Sequence, residues 1–226
     1  MNKMLTRGGI EFLAVLLGIS GSLWLDDRAQ FASDRRYEIE AYQRLSNALS
    51  LDIEGLEADS KENIRMIKVL DLMINNIEII SNDSMVLYID ITQSYSDMET
   101  HISDYETLKN TGRLYNITDL DMLQRIIDMY DKKYGEINDW KAEDKRAIWL
   151  QDEFFINNYS MQPSLKWTTI RNISKDRLRL NSDKTYRNHL VFLYKVKTQM
   201  SVEWEKLRKE MIKLNEDILE KLEKLS

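Results

Sequence analysis

After residue 25 the chain has three glycines (Gly55, Gly112, Gly135) and one proline (Pro163) in 201 residues. A β-rich fold of that size needs far more turn residues, so long helices are the expected solution. The apolar spacing agrees. Tyr42, Leu45, Leu49, Ile53, Leu56, Ile64, Ile67, Leu70, Ile74 and Ile77 follow a three-and-four pattern, the period of a helix face. Of 226 residues, 43% are apolar and 31% charged, enough apolar surface for a core. Absence of cysteine excludes a disulfide scaffold and a thiol nucleophile.

Residues 26–226 read as a helical domain. One long helix, or two nearly collinear ones, is expected from Ala29 to Ile80, with a bend at Gly55 and a turn over Ser81–Ser84. A second stretch covers Met85 to Asn110, with a break near Ser94 to Ser96 as an alternative, and ends at Thr111–Gly112. Thr118 is expected to cap a helix running from Asp119 to Asn157. Tyr159 to Lys166 reads as a loop, Trp167 to Leu180 fits no single element, and Ser182 is expected to cap the last helix. That helix carries Met200, Trp204, Leu207, Met211, Leu214, Ile218, Leu222 and Leu225, a coiled-coil-like stripe. It suits the matching stripe of the first long helix, and a second chain is the alternative. The middle helices are then expected around one end of that pair.

The other four glycines lie in the first 25 residues. After a short basic tail, residues 1–7, the run Gly8–Leu25 holds 18 residues and one charge, Glu11. As a helix it is about 27 Å long, near the thickness of a bilayer's hydrocarbon. Trp24 suits an interface, and Asp26, Asp27 and Arg28 end the run. A signal peptide is the alternative, but no alanine-type cleavage site follows the run and Glu11 interrupts it; a buried soluble helix is a third option. The expected fold class is therefore all-α, with an N-terminal transmembrane helix continuing into an elongated helical bundle. Lys3 and Arg7 favour an inside N-terminus, which places the C-terminal domain outside the cytoplasm in a single-pass arrangement.

Within the anchor, Ala14, Gly18 and Ser22 recur every four residues, with Gly21 beside them, a spacing that lets two membrane helices approach closely. Glu11 shares their side; it either faces a partner helix or pairs with Arg7 and sets depth.

Three stretches taken together, IEFLAVLLGISGSLWLDDRAQ, YEIEAYQRLSNALSLDIEGL and YETLKNTGRLYNITDLDMLQRIIDMY, resemble a family of small uncharacterised bacterial membrane proteins that is defined only as a domain of unknown function. The shared middle motif falls here on Leu108, Lys109, Gly112, Ile117, Asp119, Leu120 or Leu123, and Tyr130. The likeness spans about half the chain and implies an inner-membrane anchor with a helical domain, and no reaction. Trp24 departs from that pattern by preceding Asp26 and Asp27.

Chemistry is sparse. There is no phosphate loop or dinucleotide fingerprint. His101 and His189 stand outside any zinc or di-iron spacing; Asp97 precedes His101 by four residues and suggests a surface pair. Asp52, Glu54, Glu57, Asp59 and Glu62 form an acidic run, read as a solvated helix face. Residues 165–189 are net +5, the rest of the chain −11, and Lys166, Arg171, Lys175, Arg177 and Arg179 form a possible anion or lipid contact. The alternative is internal neutralisation of the acidic first helix. Trp149 and Phe155 could bound a small pocket, although core packing suits them better.

These features favour a non-catalytic, membrane-anchored interaction or scaffold protein that self-associates or joins a membrane partner. No cofactor or metal is expected, and the overall charge of −6 disfavours nucleic acid. An ion-coupled or sensory subunit using Glu11 is the alternative, and a carboxylate-dependent hydrolase the second.

Overall fold

A computed structural model describes residues 2–96, 99–163 and 168–225, except the side chains of residues 2–11, Ala14 and Thr168. The first helix, α1, runs without a break from Asn2 to Asn75, through both expected boundaries and through Gly55. Residues 8–25 and the first bundle helix are thus one rod. A single 3-10 turn, Ile77–Ile79, follows it.

The last helix, α7 (Lys184–Leu225), returns antiparallel along α1. Four hydrogen bonds fix the register. Arg35 donates to the Leu225 carbonyl (2.8 Å), Ser46 to Asn215 (2.7 Å), Asn63 to the Lys197 carbonyl (2.8 Å) and Arg187 to the Ile74 carbonyl (2.7 Å). The expected α7 stripe from Met200 to Ile218 is buried within the chain, and Leu222 and Leu225 pack beside it. This pairing is the in-chain one expected from the two stripes.

Between them come α2 (Asn82–Thr92), α3 (Ser103–Asn110), α4 (Leu120–Asp128), α5 (Tyr134–Asn158) and α6 (Ile173–Ser182). A π-helical turn, Met129–Lys133, joins α4 to α5, so the long helix expected over these residues is one path with a widened turn just before Gly135. The stretch expected from Met85 to Asn110 is two helices, broken at the expected place, where the run of Ser94, Tyr95 and Ser96 is irregular. Gly112 adopts φ 74°, the left-handed conformation that ends α3.

Two caps fall one residue later than expected. Asp119, not Thr118, accepts from the Met122 amide (3.0 Å), while Thr118 donates through its amide and hydroxyl to the buried Glu38 carboxylate (2.7 and 2.9 Å). Asp183, not Ser182, accepts from the amides of Thr185 and Tyr186 at the start of α7 (2.8 and 3.0 Å). An aspartate satisfies two free amides at a helix start and also meets its positive end. The expected loop around Pro163 is a short antiparallel hairpin, β1 (Met161–Pro163) with β2 (Thr168–Ile170), Met161 opposite Ile170.

The middle elements do not gather at one end. They cover the α1–α7 pair in two apolar clusters. One joins Tyr42, Leu45, Leu49 and Leu56 of α1 to Trp204 and Met211 of α7 and to Tyr105, Ile126 and Ile137. The other joins Leu70 and Met73 to Leu190 and Leu193, Met85 and Ile89 of α2, Phe155 of α5 and Leu180 of α6. The α1 stripe also turns slightly from the expected one: Ile64 is exposed, whereas Asn63, Met66 and Met73 are buried. Leu225 lies against Arg35, so the first three dozen residues of α1 extend past the end of α7. There Phe12, Leu13, Val15 to Leu17, Ile19, Leu23 to Leu25 and Phe31 are all exposed. Among the described residues no helix is long and apolar enough to cross a membrane.

Candidate functional site

The boundary between the two apolar clusters is polar. Asp52, Asp59 and Asn63 follow the same three-and-four register on α1 that brings Leu49, Leu56, Met66 and Leu70 inward. The acidic run is therefore split by the helix. Glu54, Glu57 and Glu62 face solvent, Asp59 is half-buried, and Asp52 is fully buried.

Asp52 gathers three donors. Its Oδ1 accepts from the His101 amide (2.9 Å) and from His101 Nδ1 (2.7 Å), and its Oδ2 accepts from the Tyr134 hydroxyl. His101 therefore pairs with Asp52 of α1; Asp97 lies outside the described residues. Burial, reinforced by Tyr130 and Asp52, pushes the Tyr134 hydroxyl well above its ordinary range and keeps it a donor. Tyr130 stands beside Tyr134 and stacks on Tyr105 at 4.5 Å. An imidazole whose Nδ1–H is held by a buried carboxylate keeps Nε2 as its basic nitrogen. The imidazole is half-exposed, but no hydroxyl among the described residues hydrogen-bonds to it. The geometry is thus an oriented base without a nucleophile.

Two to three turns further along α1, beside Asp59 and Asn63, Lys197 of α7 donates to Asp144 Oδ2 of α5 (2.7 Å), and both side chains are 2% exposed or less. The Ser96 amide donates to the same oxygen (3.2 Å), and the Ser96 hydroxyl to Asp59. Asn63 directs its amide nitrogen to Ser201 as well as to Lys197 (2.6 Å to Ser201), while its Oδ1 and Asp144 Oδ1 have no partner among the described residues. Burial lowers the Lys197 pKa against the opposing pull of Asp144 and Asp59. Asp59, Asn63, Tyr95, Ser96 and Lys197 line a cleft of about 210 Å³. That is smaller than a typical small-molecule site. Among the described residues no three His, Asp or Glu could hold a metal ion.

Beside this layer, Trp149 is exposed and Phe155 fully buried, so the two do not share a pocket. Trp149 instead shares a shallow groove with Tyr95 and Asp152. Burial raises Asp152 from 3.8 to about 6, with Gln93 opposing. The folded chain therefore binds this proton more tightly than the unfolded chain. The stabilisation is present below the ordinary Asp range and is lost as pH rises through about 6. Asp152→Asn should raise the melting temperature at pH 7.5 by about 2–4 °C, the effect of about 1 kcal/mol after solvent screening, with little change at pH 4. Equal shifts in melts at the two pH values would contradict this assignment.

The residues expected to mediate contacts are dispersed. Gly18 and Gly21 have open space around them, and Ser22 returns its hydroxyl to the Ile19 carbonyl (2.9 Å). The side chains of Glu11 and Ala14 lie outside the described set. The Arg28 guanidinium covers Trp24 at 4.2 Å. Of the basic stretch, Lys166 lies outside the described residues, and Arg177 turns inward. It donates to Asn82 (3.0 Å) and to the carbonyls of Ile77 and Glu78 (3.2 and 3.1 Å). With Arg187 on Ile74, it satisfies carbonyls at the end of α1, a position that favours cations. Arg171, Lys175 and Arg179 remain exposed. The Arg177 and Arg187 bonds go to carbonyls and to Asn82, and none of them reaches a carboxylate of the acidic first helix.

No family model matches the chain, and neither a curated protein nor a solved structure matches it.

Proposed function

We propose that the chain is a membrane-anchored helical scaffold whose α1 rod passes from a bilayer directly into the bundle. One observation carries this reading. Past the end of α7, α1 continues as helix with its apolar side chains uncovered, from Phe31 back to Phe12. Contiguous exposed apolar surface of that extent needs a covering medium. The described apolar part, Phe12–Leu25, is about 21 Å long, so the anchor also requires the Gly8–Glu11 turn to reach the thickness of a bilayer. The resemblance to small bacterial membrane proteins supports an anchor with a helical domain, and Lys3 and Arg7 favour placing the bundle outside the cytoplasm. Two helices approaching along Ala14, Gly18 and Ser22 would give a self-associating scaffold. No catalytic role is proposed.

The chain lacks cysteine, so Ser226→Cys introduces a unique thiol. The protein should remain in alkali-washed membranes, and an impermeant maleimide should label intact cells. Extraction by alkali would overturn the anchor; labelling only after lysis would reverse the orientation. Crosslinked dimers in membranes should diminish in Gly18→Leu, and an unchanged yield would refute this interface.

A further inference from the structure

α6 has two faces. Ile173, Arg177 and Leu180 point inward, Arg177 fastening the helix to the turn after α1. The outer face carries Lys175, Leu178 and Arg179 at i, i+3 and i+4, with Arg171 just ahead of the helix. This outer face has no acid; Asp176 is only half-exposed. Leu178 is 83% exposed, and Ile79, at the turn that Arg177 holds, is 78% exposed. Asp71, Glu78, Asp83 and Glu153 are exposed acids near this end. An aliphatic side chain left in water between cations is the arrangement of a lipid-surface contact: the cations meet headgroups and the apolar tip enters the boundary below them. Phosphate backbones of nucleic acid would satisfy the cations but would leave both aliphatic groups in water.

The position of this surface sets which membrane it can meet. From Asp26 to Asn75, α1 spans about 75 Å. Screening limits attraction between exposed charges to about 10 Å at physiological salt. A tip at that height cannot feel the bilayer that holds the anchor, even if the rod tilts by a common 20–40°.

We infer that the exposed face of α6, with Ile79, docks on a second, anionic lipid surface, making the chain a bridge between two membranes. The bridging half of this statement rests on the anchor reading above; docking of the tip does not.

Full-length protein would be reconstituted in neutral phosphatidylcholine nanodiscs. It would then be mixed with phosphatidylcholine vesicles, with or without phosphatidylserine, and binding read by co-flotation. Binding is expected on the anionic vesicles, with about tenfold or greater loss in Arg171→Glu/Lys175→Glu and in Leu178→Ser/Ile79→Ser. All four positions are exposed, so the fold is retained. Equal binding to neutral vesicles, or binding insensitive to both double variants, would overturn the proposal. So would stronger binding to duplex DNA that ignores Leu178 and Ile79. Failure to enter nanodiscs would remove the anchor alone, and the same vesicle assay on free protein would still decide the tip.

Discussion

Lys197→Met should lower the melting temperature of the bundle by about 6–20 °C, the largest effect expected of any single charge in the chain. The substitution preserves length and apolar volume but leaves the Asp144 carboxylate buried with only the Ser96 amide on it. Breaking one side of a buried ion pair costs about 3–5 kcal/mol, and about 2–4 °C per kcal/mol applies at this chain length. Lys197→Met/Asp144→Leu should recover most of the loss, because neither charge is then stranded. If the double variant melts no higher than the single one, the pair is not what holds this layer.

Asp52→Leu is the second large effect. It strips the acceptor from the His101 amide, the His101 ring and the Tyr134 hydroxyl at once. Each stranded donor costs about 1–3 kcal/mol where water cannot replace the carboxylate, and the half-exposed imidazole recovers part. A net loss of about 3–5 kcal/mol is expected, with Tyr134→Phe costing about a third as much. Amide hydrogen exchange gives the sharper reading. The His101 amide should exchange faster in Asp52→Leu while amides in the Leu190–Val196 segment of α7 stay protected until global opening. Unchanged exchange at His101 would show that the carboxylate does not hold this segment.

The α1–α7 pairing was legible because two apolar stripes with the same spacing must cover each other. The polar layer was harder to see. Asp52, Asp59 and Asn63 continue the alternation Leu49, Leu56, Met66, Leu70, so their register alone pointed inward. Their charge suggested a solvated face, and the groups that make burial tolerable, Tyr134, Ser96, His101, Asp144 and Lys197, are distant in sequence. Arg177 was opaque for a related reason: its acceptors are main-chain carbonyls, which leave no mark in a side-chain pattern. The hairpin strands, three residues each, are too short for alternation to show. The apolar run over residues 8–25 was plain in the sequence, and its described side chains stand exposed because no α7 residue lies beside them.

One of the partners of α1, α7, is made long after α1 itself. Ser46 meets Asn215 across 169 residues of chain. At synthesis rates of about 5–20 residues per second, that leaves roughly 10–30 s in which the stripe of Tyr42, Leu45 and Leu49 has no α7 to cover it. During that interval the N-terminal segment has already left the ribosome. Closure of the bundle therefore trails the synthesis of α1 by that interval, during which α1 is an amphipathic stripe still without α7.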